Sequence, residues 1–144
     1  MDKNKIKKVV REDYARVAKR QSSCCSGAPC CSDTLSNNDL SEKVSRSVGY
    51  SEEELKSVPE GSNMGLGCGN PVALSSLKED EVVLDLGSGG GFDCFLASKR
   101  VGLNGKVIGV DMTPEMIDKS RLNARKGGYK NVEFRLGEIE NLPV

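Results

Sequence analysis

Residues 82–93 read VVLDLGSGGGFD, and this stretch decides the fold. Its first five positions are mostly apolar and lead directly into glycine, which predicts a buried parallel strand that ends in a tight turn. Glycine at alternate positions allows positive φ and lets a ligand approach the backbone without a Cβ in the way. A helix is predicted to follow, and its free N–H groups and positive end favour an electronegative ligand group. We therefore expect a nucleotide-like ligand above this turn.

The spacing of glycines and acids separates two classes of nucleotide site. A dinucleotide fingerprint, Gly-x-Gly-x-x-Gly, would need its third glycine at Phe92. Here an acid, Asp85, stands two residues before the first glycine, and a second predicted strand, residues 106–110, ends at Asp111. An acid in that place can accept hydrogen bonds from both ribose hydroxyls. The pattern resembles motif I and the acid that follows it in class I S-adenosylmethionine-dependent methyltransferases.

Strands and helices alternate through the second half of the chain. Thr113 and Pro114 are predicted to cap one of these helices, and Gly127 and Gly128 to end it. Alternation of this length indicates βαβ units in a parallel sheet, so we predict an α/β, Rossmann-like fold. The predicted strands are 81–86, 106–110 and 132–136, with helices over 91–101 and 114–126.

The first half is predicted to be a helical and loop extension. Residues 3–21 have the pattern of an amphipathic helix, which we expect to cover the ligand site. Residues 22–38 lack periodicity and predict a loop, and residues 60–70 predict a second, glycine-rich loop. Ser51 and Glu54 form a capping box, and Asn70-Pro71 begins a further helix. The apolar positions of the first helix are Ile6, Val9, Val10, Tyr14 and Val17.

Composition excludes several classes of partner. Lysine plus arginine equals aspartate plus glutamate at 21 residues each, so the charge gives no argument for nucleic acid or an anionic membrane surface. No apolar run approaches the ~20 residues that span a bilayer, and the first residues lack the apolar segment of a secretory signal. We therefore expect a cytoplasmic protein with reduced cysteines. Histidine is absent, which excludes a histidine base in this sequence.

The six cysteines allow three interpretations. Adjacent cysteines suit a structural zinc site poorly, because the usual Cys-x2–4-Cys spacing lets both sulfurs turn inward. Disulfides are disfavoured in a reducing compartment. Thiolates gathered in a loop can instead bind a soft, thiophilic ion. Cys94, in the helix after the glycines, is predicted to pack as a small hydrophobic residue. The others are Cys24, Cys25, Cys30, Cys31 and Cys68.

Four segments together resemble the arsenite methyltransferase family. They are Gly-Cys-Gly-Asn-Pro around Cys68, the strand and glycine turn that ends in Asp93-Cys94, Gly-Val-Asp-Met-Thr around Asp111, and Gly-Glu-Ile-Glu-Asn-Leu-Pro from Gly137. The resemblance implies that arsenite is held by the Cys68 thiolate and by the upstream segment that contains Cys24, Cys25, Cys30 and Cys31. It also implies a sheet of seven strands, of which three are present. We therefore expect the N-terminal half of a longer enzyme, with a cover segment at 1–76 and a truncated S-adenosylmethionine-binding domain at 77–144.

The same resemblance assigns the cofactor contacts. The glycine turn lies beside the methionine and ribose parts of S-adenosylmethionine, and Asp85 orders this turn or contacts the cofactor amino group. Asp111 binds the ribose hydroxyls, Met112 packs on the adenine, and Glu138 and Ile139 contact the adenine amino group and ring. The first strand of such a sheet is central, so we expect self-association through its unpaired side. The turn residues assigned to the cofactor are Gly87, Ser88, Gly89 and Gly91.

Three functions are compatible with these residues. The first is methyl transfer to thiol-bound trivalent arsenic, which needs no protein base because arsenic offers its own lone pair. The second is a small-molecule methyltransferase of the ubiquinone or menaquinone type, which gives the paired cysteines no role. The third is a truncated, non-catalytic module that binds arsenic or another metal.

Overall fold

The computed structural model describes residues 2–20, 37–67, 69–71 and 76–144. Its helices are α1 Lys3–Arg20, α2 Asn37–Ser47, α3 Glu52–Lys56, α4 Phe92–Val101 and α5 Pro114–Gly127. Its strands are β1 Val82–Leu86, β2 Lys106–Asp111 and β3 Val132–Leu136. The predicted strands and helices of the second half are confirmed to within one residue at each end. Among the described residues, none of the helices combines the length and the apolar character needed to cross a membrane.

The strands form a parallel sheet in the order β1-β2-β3. Asp85 pairs with Gly109 in the register of β1 and β2, and Gly109 pairs with Phe134 of β3. Because parallel strands place their carboxyl ends at one edge, the glycine turn after β1, Asp111 and Gly137 all lie at that edge. The α/β prediction is confirmed.

Helices α4 and α5 pack on one face of this sheet. Phe95 is fully buried there, with its ring centroid 5.7 Å from that of Phe134 and 4.6 Å from that of Tyr129. Gly109 permits the close packing, because a Cβ at this position would lie 2.7 Å from the Phe134 ring and 2.8 Å from the Cys94 sulfur. This face therefore holds the main core.

The opposite face is apolar along β1 and charged along β3. Val82, Leu84 and Leu86 alternate along β1 and are 71%, 40% and 51% exposed. At the β3 side, the Glu133 carboxylate lies 2.7 Å from both Lys106 and Arg135. Strand β1 has a partner on one side only among the described residues. The unpaired side of the first strand and self-association through it both stay predictions.

The N-terminal segment differs from its prediction in two ways. Helix α1 has the predicted extent, but its buried positions are Ala15 and Ala18, whereas Ile6, Val9 and Tyr14 are 41%, 50% and 44% exposed. Small side chains let α1 lie close to α5, where Lys19 pairs with Glu115 at 3.0 Å. Helix α2 was not predicted, and it begins at Asn37, inside the predicted loop 22–38. The rest of that loop lies outside the described residues.

The helix caps test the local sequence signals. The capping box is confirmed, since Glu54 N–H donates to Ser51 Oγ and Ser51 N–H donates to the Glu54 carboxylate. Gly128 ends α5 in the left-handed conformation, with φ of 69°, as predicted. Thr113 occupies the N-cap of α5 and Pro114 its first turn, as predicted, although the Thr113 side chain makes no capping hydrogen bond. The helix predicted after Asn70-Pro71 lies mostly outside the described residues.

Candidate functional site

A cavity of about 850 Å³ opens at the carboxyl edge of the sheet. Its walls come from the glycine turn, the end of β2, the segment after β3 and the loop residues 62–67 and 69–71, with Lys7 and Tyr14 of α1 also in the lining. Eight of the nine residues predicted to bind the cofactor line it; Gly91 does not. The five cysteines predicted to bind arsenite lie outside the described residues. The eight are Asp85, Gly87, Ser88, Gly89, Asp111, Met112, Glu138 and Ile139.

The glycine turn is shaped by positive φ angles at Gly87, Gly89 and Gly91. At Gly91, the N-cap of α4, a Cβ would lie 2.7 Å from the Phe134 ring and 2.8 Å from the Phe95 ring. At Gly87, by contrast, no atom lies within 4 Å of such a Cβ. Gly91 therefore seats the turn on the core, and Gly87 leaves the backbone open toward the cavity.

Asp111 holds the turn in place. One carboxylate oxygen accepts a hydrogen bond from Gly89 N–H at 3.0 Å, and the other accepts one from Thr113 N–H at 2.8 Å. A carboxylate has about four acceptor sites, so capacity for further donors remains. The sequence predicted that Asp85 either orders this turn or contacts the cofactor amino group. In the structure the side chains that hydrogen-bond the turn are Asp111, which accepts from Gly89 N–H, and Asn123, whose Nδ2 donates to the Gly90 carbonyl oxygen at 3.1 Å.

Asp85 is instead linked to α4. Its carboxylate accepts a hydrogen bond from the Cys94 thiol at 3.1 Å. Burial raises the pKa of Asp85, and the hydrogen bond from Cys94 opposes this rise. Burial also raises the pKa of Cys94 well above its ordinary value, and the neighbouring Asp85 charge adds to it. Cys94 is thus a buried, protonated thiol, as its predicted packing role requires, with a polar contact that the sequence did not reveal.

Tyr50 joins the loop beside Cys68 to the start of α4. Its hydroxyl oxygen lies 2.7 Å from the Gly69 carbonyl oxygen and 2.7 Å from an Asp93 carboxylate oxygen. Its ring packs edge-on against Phe92, with centroids 4.7 Å apart. Burial raises the pKa of Asp93 to about 6, although the hydrogen bond with Tyr50 lowers it. Burial likewise raises the pKa of Tyr50, so the phenol stays protonated. No sequence signal connected these residues.

Ion pairs hold α1 over the cavity. Glu138 lies 2.7 Å from Lys7 and 2.9 Å from Arg11, and Lys7 also pairs with Glu140 at 3.0 Å. The hydrogen bond from Lys7 lowers the pKa of Glu138, which stays ionised. The Glu138 carboxylate predicted to meet adenine is therefore already paired with α1, and the neighbouring Ile139 is 64% exposed.

Residues 77–144 match the family described as methyltransferase domain. These residues are part of a methyltransferase domain. The predicted fold class is confirmed, because the parallel strands and their helices agree with a partial class I methyltransferase sheet. A solved SAM-dependent methyltransferase from Aquifex aeolicus has a TM-score of 0.50 and 29% identity, covering 72% of this chain and 50% of its own.

Two curated relatives of this methyltransferase domain differ in how much of the chain they match. An arsenite methyltransferase of Halobacterium salinarum is 48% identical over 99% of the chain. A protein-L-isoaspartate O-methyltransferase of Methanococcus maripaludis is 34% identical over 57% of the chain. The chain spans 37% of the length of the first relative and 46% of the second. Similarity to the arsenite methyltransferase thus extends through the segment that precedes the methyltransferase domain.

Proposed function

We propose that this chain binds S-adenosylmethionine in the cavity and belongs to a cytoplasmic enzyme that methylates arsenite or its thiol conjugates. The observation that carries the proposal is the 48% identity to an arsenite methyltransferase over 99% of the chain. That match includes residues 1–76, the proposed cover segment with its cysteines, as well as the methyltransferase domain at 77–144.

The described lining fits this cofactor. S-adenosylmethionine carries positive charge on its sulfonium and ammonium groups, and Asp85, Asp93 and Asp111 supply negative charge around the cavity. Asp111 keeps acceptor capacity for ribose hydroxyls while it holds the glycine turn. Met112 and Ile139 supply apolar surface beside that edge. We propose the nine residues assigned from the sequence as the cofactor set, with Gly91 acting through the packing of the turn.

The proposed reaction asks the protein mainly to hold two partners in line. S-adenosylmethionine supplies an electrophilic methyl group when bound. The lone pair of trivalent arsenic would form the new bond to the methyl carbon as the bond from that carbon to the sulfonium sulfur breaks, and S-adenosylhomocysteine would leave. No side chain has to remove a proton, which agrees with the absence of histidine from the sequence. Orientation of this kind lowers a barrier by up to about 7–11 kcal/mol. Cys68 and one or more of Cys24, Cys25, Cys30 and Cys31 are proposed to hold arsenic as thiolates.

Cofactor binding is tested first on the chain itself. Calorimetry should show S-adenosylmethionine binding in competition with S-adenosylhomocysteine, and no binding of NAD, because Phe92 stands where a dinucleotide site needs glycine. Asp111→Ala should weaken S-adenosylmethionine by about 1–3 kcal/mol, the cost of removing a charged hydrogen-bond partner. NAD binding tighter than S-adenosylmethionine would contradict the proposed cofactor.

The substrate is tested in the whole protein, with arsenite turnover measured under reducing conditions. Cys68→Ser should abolish turnover and leave the affinity for S-adenosylmethionine nearly unchanged, because a hydroxyl will not hold a soft arsenic centre. Cys94→Ser is the matched control, since its thiol is buried against Asp85 and should affect stability more than turnover. Single changes at the four upstream cysteines should be milder. Full turnover in Cys68→Ser would favour a quinone-type substrate, and cofactor binding without turnover would favour a non-catalytic arsenic-binding module.

A further inference from the structure

Two buried donors at the cavity lack hydrogen-bond partners among the described residues. They are the Ser88 hydroxyl, in the glycine turn, and the Asn63 side-chain Nδ2, in the loop that faces it. Ser88 is 7% exposed. The loop packs directly on the turn, since a Cβ on Gly90 would lie 2.9 Å from the Ser62 carbonyl oxygen and 3.0 Å from the Met64 methyl carbon. A buried polar atom without a partner costs about 1–3 kcal/mol, which a ligand can recover.

The orientation of the Asn63 amide is fixed by its neighbours. Its oxygen accepts hydrogen bonds from Gly65 N–H at 3.0 Å and from the Ser45 hydroxyl at 2.9 Å. A backbone N–H can only donate, so the atom it contacts must be the amide oxygen. The Nδ2 group is therefore the end left without a partner, and it is a buried atom of a residue that lines the cavity.

The charges of the lining limit what these donors can receive. The described lining contains five acids and a single base, Lys7, which is already paired with Glu138 and Glu140. A ligand with positive groups is attracted by this wall, but its carboxylate is repelled. Uncharged N–H and O–H groups can donate hydrogen bonds to a ligand carboxylate. Because they carry no positive charge, they do not form ion pairs with the acids of the lining.

We propose that Asn63 Nδ2 and Ser88 Oγ form the subsite for the carboxylate of the amino-acid part of the cofactor. This inference rests on the proposed function, because it assumes that the cofactor is S-adenosylmethionine. It gives Asn63 a direct binding role. The glycine turn and the 62–64 segment then hold the amino-acid end of the ligand between them.

The experiment compares two ligands that differ only in this carboxylate. S-adenosylmethionine and its decarboxylated counterpart are titrated by calorimetry into the wild-type chain and into Asn63→Asp. The aspartate keeps an acceptor for Gly65 and Ser45 but replaces the N–H donors with a negative oxygen. We expect a loss of roughly ten- to a hundredfold for S-adenosylmethionine, the effect of a hydrogen bond to a charged group, and no loss for the decarboxylated compound.

Two further variants separate direct binding from loop structure. Ser88→Ala should weaken S-adenosylmethionine alone. Ser45→Ala should change neither ligand more than about threefold, because Gly65 still orients the amide. Equal losses for both ligands in Asn63→Asp, or no loss, would overturn the inference while leaving the proposed function intact. If Asn63→Asp does not fold, Ser88→Ala and the wild-type preference for the carboxylated ligand decide the question. A wild-type chain that binds neither ligand would overturn the proposed function as well.

Discussion

The two faces of the sheet differ in what covers them and in what they contain. The face under α4 and α5 buries Phe95, Val107 and Phe134 almost completely. The other face exposes Leu84 and its neighbours along β1 and carries the charged side chains of β3 at its far side. The helix-covered face therefore supplies most of the hydrophobic stabilisation, and it also seats the glycine turn through Gly91. Fold stability and site geometry depend on the same aromatic cluster.

The largest expected contrast is between core truncations on the two faces. Phe95→Ala should lower the free energy of unfolding by about 3–5 kcal/mol, because it leaves a cavity under the turn. Leu84→Ala should cost clearly less, because the Leu84 side chain is already 40% exposed. Urea denaturation followed by circular dichroism measures both. Similar losses in the two variants would show that the β1 face is covered in solution.

A smaller contrast lies within the glycine turn. Gly91→Ala and Gly87→Ala both place an alanine at positive φ, which costs roughly 1–2 kcal/mol. Gly91→Ala should cost a further 1–3 kcal/mol, approximately, because its Cβ would collide with Phe134 and Phe95. The difference between the two free energies of unfolding isolates the packing effect. Equal values would mean that the turn does not rest on the aromatic cluster.

Asp93, in the first turn of α4, predicts a smaller effect, which is a change of the free energy of unfolding with pH. The pKa of Asp93 is raised from 3.8 to about 6 by burial, so its protonated form is favoured by folding. Its stabilising contribution is complete below about pH 4 and is lost as the pH rises through about 6. Asparagine does not titrate, so the free energy of unfolding of Asp93→Asn minus that of the wild type should increase as the pH rises from 4 to 7. Urea denaturation at several pH values measures this, and a constant difference across that range would contradict it.

The smallest expected change in stability belongs to the β1 face, where association should respond instead. Leu84→Lys should alter the free energy of unfolding little and should raise the monomer fraction, because a charge opposes pairing along β1. Leu103→Lys is the matched control, since Leu103 is 94% exposed and lies in the connection between α4 and β2, outside the strands. Sedimentation velocity at several concentrations measures the effect. A wild-type chain that is monomeric throughout would show that this face does not drive self-association.

The sequence predicted those parts of the fold that local patterns encode. Alternating apolar runs and glycines placed β1, β2, β3, α4 and α5, and Ser51 with Glu54 placed the start of α3. Helix α2 was not predicted because its eleven residues, NNDLSEKVSRS, contain only two apolar residues. The buried side of α1 was not predicted because it consists of alanines. The pattern of larger apolar residues placed the buried side on a different face of the helix.

The candidate site was predicted only where neighbours in sequence form it. The glycine turn and Asp111 follow from spacing after strands, and they line the cavity. The contacts of Tyr50 with Asp93, 43 positions away, and of Lys7 with Glu138, 131 positions away, depend on how distant segments pack. The unpartnered Nδ2 of Asn63 could not be predicted either. It follows from the contacts that Ser45 and Gly65 make with the amide oxygen, and these contacts are known only from the structure.

The Tyr50 hydroxyl has a single hydrogen to donate, but two acceptors lie within hydrogen-bond distance, the Gly69 carbonyl oxygen and the Asp93 carboxylate. When Asp93 is ionised, its carboxylate takes that hydrogen as the stronger acceptor, and the Gly69 carbonyl loses its donor. When Asp93 is protonated, it donates to the Tyr50 oxygen, and the tyrosine hydrogen passes to Gly69. The link that Tyr50 makes between α4 and Gly69 thus has two hydrogen-bond arrangements. Protonation of Asp93, whose pKa is about 6, changes one into the other.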